Sequence, residues 1–247
     1  MSDRRNDETT LEQEPGKRRT IAITGAGGGI GAVVAATFLD HGWNVALFDR
    51  GNHVDRLKES FPSALVVTAD LTERDQIAGA VSTVQERYRT IDALAHLAGG
   101  FAMGAAQDTS AEDVERLLDL NFRTLFTTVQ AVLPGMITQR SGTIMGIAAK
   151  QALEGGRNVT AYAASKGALV GYLRALRSEV SRSGVGVGIL FPMGTIDTPE
   201  NREAMPDSDP EAWIAAEEMA DALVYLAERT PRGRVDEIRL EAVPLED

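Results

Sequence analysis

Three observations predict an α/β protein with a doubly wound parallel sheet in a single domain. Six or seven short apolar runs alternate with segments of helical period. A glycine-rich turn stands directly between the first run and the first helix. The 247 residues, 43% of them hydrophobic, suffice for one substantial core, and the last strand leaves no sequence for a second domain.

Residues 1–17 are rich in Asp, Glu, Arg and Gln and offer little that could pack, so they are predicted to form a disordered or loosely attached tail, with the folded domain spanning 18–247. Residues 20–24 read as the first strand. Gly25-Ala26-Gly27-Gly28-Gly29-Ile30-Gly31 follows at once, and Val33, Val34 and Phe38 continue at helical period. Glycines here permit a tight turn and a close approach to a pyrophosphate, whose charge would meet unpaired N–H groups at the helix start. This predicts a Rossmann-type nucleotide site.

The second strand, 44–48, ends at Asp49, 24 residues past Gly25. An acid there is placed to accept hydrogen bonds from an adenosine ribose and to repel a 2'-phosphate, which predicts NAD. The neighbouring Arg50 can hold a 2'-phosphate, so NADP stays open as the second reading. A plain turn or cap role also remains for Asp49.

Strand 65–69 is closed by Asp70-Leu71, and Thr72 is expected to cap the next helix, with Ile77, Val81, Val84 and Tyr88 on its inner stripe. Asp70 is a candidate contact to the adenine. Strand 93–97 leads into Ala98-Gly99-Gly100, small residues that would let a cofactor lie against the sheet edge. His96 within it reads as a packed strand residue. Ser110-Ala111-Glu112-Asp113 is a capping pattern, and Asn121 then interrupts an apolar stripe, where its amide needs a partner or marks a kink.

Strand 143–147 ends in Ala148-Ala149-Lys150. The helix that follows carries Tyr162 and Lys166, four apart and therefore on one face. A phenol beside an ammonium is a proton-transfer pair, although the spacing alone also arises on any solvated helix. In strand 185–191 Val alternates with Gly, so something is expected to pack closely on one side. Residues 192–210 form a proline-rich connection suited to a substrate loop. Asp209 and Pro210 are expected to start the last helix, with Trp213 on its inner face, before a final strand at about 237–242.

The formal net charge of -11 argues against nucleic-acid and anionic-membrane partners and leaves a small-molecule substrate. With no Cys, and with His41, His53 and His96 far apart, no metal site is expected. No apolar run reaches spanning length and no signal-peptide core precedes residue 20, which predicts a cytoplasmic protein.

Thr24-Gly25-x-x-x-Gly29-Ile30-Gly31, Asp70-Leu71, Ala98-Gly99, Asn121 and Tyr162-x-x-x-Lys166 occur in the order and spacing of the short-chain dehydrogenases/reductases, which the chain resembles from about 18 to 243. The resemblance implies an NAD(P)-dependent oxidoreductase. It makes Tyr162 the acid/base, Lys166 the residue that lowers its pKa and binds the nicotinamide ribose, and Asn121 the holder of a relay water. Gly25, Gly29, Ile30, Gly31, Asp49, Asp70, Leu71, Ala98, Gly99 and Thr195 are assigned to the cofactor with them. A homodimer or homotetramer is implied, built through the helix before Asn121 and the Tyr162 helix.

Two positions depart from that family. Its substrate-polarising serine would fall at Ala149 or Lys150, and Leu97 stands where an Asn is usual. One lost transition-state hydrogen bond of this kind is worth roughly 3 kcal/mol. Residues 147–155, Tyr162-x-x-x-Lys166-Gly167-Ala168, 197–206 and Ala98-Gly99-Gly100-Phe101 are similar to the dihydropteridine reductases, which also lack the serine and reduce a quinonoid dihydropterin with NADH. Pro192-Met193-Gly194-Thr195 is one residue longer than theirs. The alternatives are a carbonyl or alcohol oxidoreductase in which Thr195 or Asn158 replaces the serine, and a catalytically weak NAD-binding subunit whose pocket is blocked by Met193 or Phe101.

Overall fold

Seven parallel strands form one sheet in the order β3-β2-β1-β4-β5-β6-β7. The computed structural model describes residues 18–243, so the predicted tail at 1–17 lies outside the described residues. The strands are β1 (Thr20–Thr24), β2 (Asn44–Asp49), β3 (Leu65–Thr68), β4 (Ala93–His96), β5 (Gly142–Ile147), β6 (Val185–Pro192) and β7 (Glu237–Leu240). The helices are α1 (Gly31–Asp40), α2 (His53–Ser60), α3 (Arg74–Tyr88), α4 (Ala111–Leu118), α5 (Thr124–Gln139), α6 (Gln151–Glu154), α7 (Thr160–Val180), α8 (Pro199–Ala204) and α9 (Ala216–Glu228).

Strand order reverses between β1 and β4, which pair in parallel from Ile21–Ala93 to Thr24–His96. The crevice beyond the carboxyl ends of two such strands is where a parallel sheet receives a ligand. The alternation along β1 explains the two layers. Ile21 and Ile23 face a core shared with Val34, Phe38 and Leu223, while Ala22 faces the opposite core with Leu125, Val129 and Leu173. Glycines set the depth of packing. A Cβ at Gly146 would lie 2.6 Å from Leu173 Cδ1, and one at Gly188 would lie 3.1 Å from Leu226. Of the two glycines that alternate with Val in β6, Gly188 is therefore closed in by α9, while Gly186 faces the Arg234 side chain at 3.5 Å.

Three local expectations are corrected. The last helix begins at Ala216: Asp209 caps only a 3-10 turn at Pro210–Ala212, accepting from Glu211 N–H. Trp213 is extended instead, because Ile214 is drawn into a parallel bridge with Ile196. Thr72 does not cap α3, since both its N–H and its hydroxyl donate to Asp70 Oδ1, at 3.0 and 2.7 Å. The final strand stops at Leu240. Ser110 does cap α4, accepting from Asp113 N–H at 3.1 Å.

Among the described residues no helix is long and apolar enough to cross a membrane.

Two glycines on helices separate steric need from chance. A Cβ at Gly31 would sit 2.1 Å from the Ala26 carbonyl oxygen, a backbone atom that cannot swing aside, whereas nothing lies within 4 Å of one at Gly79. Gly31→Ala is expected to lower the unfolding free energy by about 1–3 kcal/mol, and Gly79→Ala to raise it by about 0.5–1 kcal/mol, measured by urea denaturation.

Candidate active site

The crevice at the strand-order reversal holds a cavity of about 220 Å³ whose walls include Gly25, Gly28, Asp49, Asp70, Leu71, Ala98 and Gly99. A void of about 10 Å³ beside Gly186 and Arg234 is too small for more than a single water. The structure thus brings together the turn after β1, the end of β2, the end of β3 and the turn after β4.

The glycine turn is shaped by its neighbours. Gly25 has φ +67° and a Cβ there would meet the Ala98 backbone at 2.6 Å. Ile30 stands at the start of α1 with no side-chain cap, and the first turn carries no acid; Gly31 N–H is spent on the Gly28 carbonyl at 3.0 Å, but the positive end of the helix still favours an anion. Asp49 Oδ2 accepts from Gly27 N–H at 2.6 Å and Oδ1 from Arg50 N–H at 2.7 Å. His53 Nδ1 stands 3.3 Å from the same carboxylate. Arg50 is drawn to Asp70 at 2.6 Å. The bond to Arg50 and the two from Thr72 hold the Asp70 carboxyl below its usual range, the Thr72 bonds contributing most.

Leu120, in a π-turn at Asp119–Arg123, also lines the cavity; Asn121, the next residue, is fully buried and, like Tyr162 and Lys166, is not one of the lining residues. Its Oδ1 accepts from Gly100 N–H and its Nδ2 donates to the Gly100 carbonyl, both at 2.9 Å. Nδ2 also donates to Ser165 Oγ at 2.9 Å, and Ser165 donates on to the Tyr162 carbonyl at 2.8 Å. Both amide hydrogens are spent, so the side chain could meet a water only as an acceptor, through the remaining lone pair of Oδ1. The amide is foremost a clamp between the turn after β4 and α7.

Lys166, 6% exposed, donates to the Ile147 carbonyl at 2.9 Å. Burial lowers its pKa to about 8. A Cβ at Gly99 would lie 2.7 Å from Asn121 Oδ1 and 3.2 Å from Lys166 Nζ, so only glycine admits both groups. Tyr162 packs edge-on against Phe101, ring centroids 4.8 Å apart. Burial pushes its phenol up to about 12, the reverse of the lowering expected from Lys166. Desolvation of the phenolate is the acting cause, a tertiary effect that helix spacing does not carry.

The remaining candidates separate. Ala149 is buried at the end of β5, and Lys150 turns outward to Glu154 at 3.6 Å. Asn158 is exposed, with φ +61°, and offers its carbonyl to Gly104 N–H. Thr195 is half-buried, outside the cavity walls, with its carbonyl accepting from Ile214 N–H. Met193 packs on the core below β6. Phe101, which packs on Tyr162, and Met103 two residues on are 57% and 63% exposed.

Two residues went unassigned in the sequence. Thr198 is buried, caps α8 by accepting from Asn201 N–H, and its Cβ would stand 2.9 Å from a Cβ on Gly29. Thr198-Pro199-x-Asn201, a capping residue followed by proline, was its signal. Ser165, three residues after Tyr162, could have been found from the helix face it shares with that residue.

The pKa of Lys166 carries a sign. It falls from 10.5 unfolded to about 8 folded, so the stability it contributes is complete above pH 10.5 and lost as pH falls toward 8. Tyr162 opposes this only above pH 10, where its unfolded form starts to ionise. Without added nucleotide, urea denaturation is expected to show stability rising between pH 8 and 10, by at most about 1.4 kcal/mol per unit. Lys166→Met is expected to flatten that rise and to be at least as stable as the parent at pH 7.

The short chain dehydrogenase family profile matches residues 19–209. An uncharacterised oxidoreductase of Staphylococcus saprophyticus is 29% identical over 231 residues, covering 91% of this chain and 97% of the relative. The oxidoreductase UcpA of Salmonella typhimurium is 33% identical over 216 residues, covering 83% and 80%. UcpA of Escherichia coli is 32% identical over 200 residues, covering 78% and 75%. With the seven-stranded parallel sheet and the Gly25–Gly31 turn at its switch point, these matches establish that the chain belongs to the short-chain dehydrogenase family of oxidoreductases.

Proposed function

We propose that the protein is an NAD(H)-dependent reductase in which Tyr162 delivers a proton to a planar, conjugated acceptor of the quinonoid dihydropterin type. The observation that carries this reading is a half-buried phenol, desolvated and held protonated against Phe101, with methyl side chains, Ala148 and Ala149, at the chain positions where the family's carbonyl-polarising hydroxyl would fall. A conjugated diimine accepts hydride readily and needs a proton more than it needs polarisation.

The cavity fits a nucleotide. A Cβ at Gly25 would strike the Ala98 backbone and one at Gly29 the Thr198 and Glu200 side chains, so the turn keeps its shape only with glycine there, and the first turn of α1 faces a pyrophosphate with its positive end. Asp49 and Asp70 would take the adenosine end, and Lys166, with Tyr162, the nicotinamide ribose. What supports NAD over NADP is Asp49 itself together with the commitment of Arg50 to Asp70. When bound, the cofactor supplies the hydride. Tyr162 gives its hydroxyl proton to the acceptor nitrogen, and the Lys166 ammonium favours the phenolate left behind.

NADH oxidation is to be measured against a quinonoid dihydropterin and a panel of ketones. Turnover is expected with the dihydropterin, and Tyr162→Phe is expected to lower kcat by about 100-fold or more with NADH affinity within about threefold of the parent. Turnover of ketones alone would replace this reading with ordinary carbonyl reduction, and a chain that neither binds NADH nor turns over either class would refute it.

Glu200 adds a charge at the cradle, since its Oε2 would lie 2.6 Å from a Cβ on Gly29. A carboxylate there opposes a pyrophosphate. Glu200→Gln is expected to tighten NADH binding about two- to fivefold at low salt and less at 0.5 M, read by fluorescence titration.

A further inference from the structure

His96 closes β4 between Thr24 of β1 and Gly146 of β5 and is 1% exposed. Its Nδ1 lies 2.8 Å from Thr24 Oγ1 and its Nε2 lies 3.2 Å from Thr124 Oγ1. The ring's hydrogen can be placed by elimination. Thr124 donates its single hydroxyl hydrogen to the Leu120 carbonyl at 2.7 Å, so toward the imidazole it can only accept. Nε2 therefore carries the hydrogen, Nδ1 is bare, and Thr24 donates to it. The result is a one-way chain: Thr24 hydroxyl to Nδ1, Nε2–H to Thr124, Thr124 hydroxyl to the Leu120 carbonyl.

Both ends of that chain matter. Thr24 is the residue before Gly25, where the nucleotide cradle begins. Leu120 is the residue before Asn121 in the π-turn, and its Cδ1 would meet a Cβ on Gly100 at 3.0 Å. We infer that His96 is a positioning residue, a neutral imidazole that fixes the glycine turn relative to the π-turn carrying Asn121. Its effect on turnover rests on the function proposed above, whereas the bonding pattern does not. The surroundings keep the ring neutral. Thr24, Thr124 and Gly146 present no charge, and the one charged group acting on it is the Lys166 ammonium from α7; with burial as the larger cause, the pKa falls to about 3.

The test has two arms. In long-range 15N–1H spectra of the full chain labelled at histidine, His96 is expected to show the Nε2–H neutral tautomer unchanged from pH 8 to pH 5. An Nδ1–H tautomer, or titration near the ordinary histidine value, would overturn the inference. In the second arm, His96→Phe, which keeps the bulk and loses both bonds, is expected to lower kcat/KM about 10- to 100-fold per folded molecule and to weaken NADH binding. His96→Gln is expected to recover part of each loss. Unchanged kcat and NADH affinity per folded molecule in His96→Phe would reduce His96 to a packing residue and also overturn the inference. Should His96→Phe not fold, Thr124→Val is read in its place with the same expectation. A parent protein that binds no NADH refutes the proposed function alone, since the tautomer is still decided by the spectra.

Discussion

A primary amide sealed inside a helix has four hydrogen-bonding valences to satisfy, and each left unpaired costs about 1–3 kcal/mol. Asn121 meets three of the four with a single peptide group, donating to and accepting from Gly100, and with Ser165. The π-turn supplies the extra residue that tips the amide inward. Everything nearby depends on this pairing. It fixes the turn after β4, so Gly99 passes between Asn121 and Lys166; it holds Ser165, and through Ser165 the first turns of α7. Tyr162 and Lys166, the proposed proton-transfer pair, are thus tied to the sheet through a residue that touches neither of them by charge.

Close approach imposes the second constraint, and around the cavity glycine meets it where backbone or a buried polar group stands opposite. Gly25 faces the Ala98 backbone and Gly99 faces Asn121, while Gly51 and Gly171 have open space around the missing Cβ. The site has an energetic cost that the core must offset. Lys166 is charged and buried, and among the described residues no carboxylate lies within ion-pair distance of it. Such strain is ordinary where a group is held ready for chemistry.

Much of the architecture was legible because it is local. Apolar runs marked the first six strands, the seventh being an alternating Glu-Ile-Arg-Leu, and the glycine turn between the first strand and first helix predicted the nucleotide crevice. Asp49, Asp70, Leu71, Ala98 and Gly99 line one cavity, as their positions after strand ends implied. What escaped was set by distant partners. Asp209 and Pro210 announce a helix start, but the Ile196–Ile214 bridge keeps the chain extended for another turn. Thr72 looks like a cap until Asp70 competes for it. Asn121 read as an interruption because its partners lie 21 and 44 residues away. The direction of the Tyr162 shift was illegible for the same reason: helix spacing gives the neighbour and says nothing of the solvent that folding removes.

That last point bears on how the proposed acid works. The chain carries a net charge of -11, which opposes formation of a phenolate anywhere on it. Surface charges act across water and salt, with a screening length of about 8 Å at physiological ionic strength, whereas a buried ammonium acts through the protein and is screened far less. Had Lys166 been paired with a carboxylate, its field would have been cancelled where it is needed. It is bonded instead to the Ile147 carbonyl, which satisfies a hydrogen and leaves the charge intact. Burial then does two opposed things: it keeps Tyr162 protonated at rest, and it spares the Lys166 charge from screening by salt. A proton donor needs both, because it must hold its proton until a basic nitrogen arrives and then lose it without leaving an unsupported anion. A ketone offers no such nitrogen and would lean on the hydroxyl that Ala149 lacks, so the same burial that weakens a carbonyl reductase suits an acceptor that draws the proton itself.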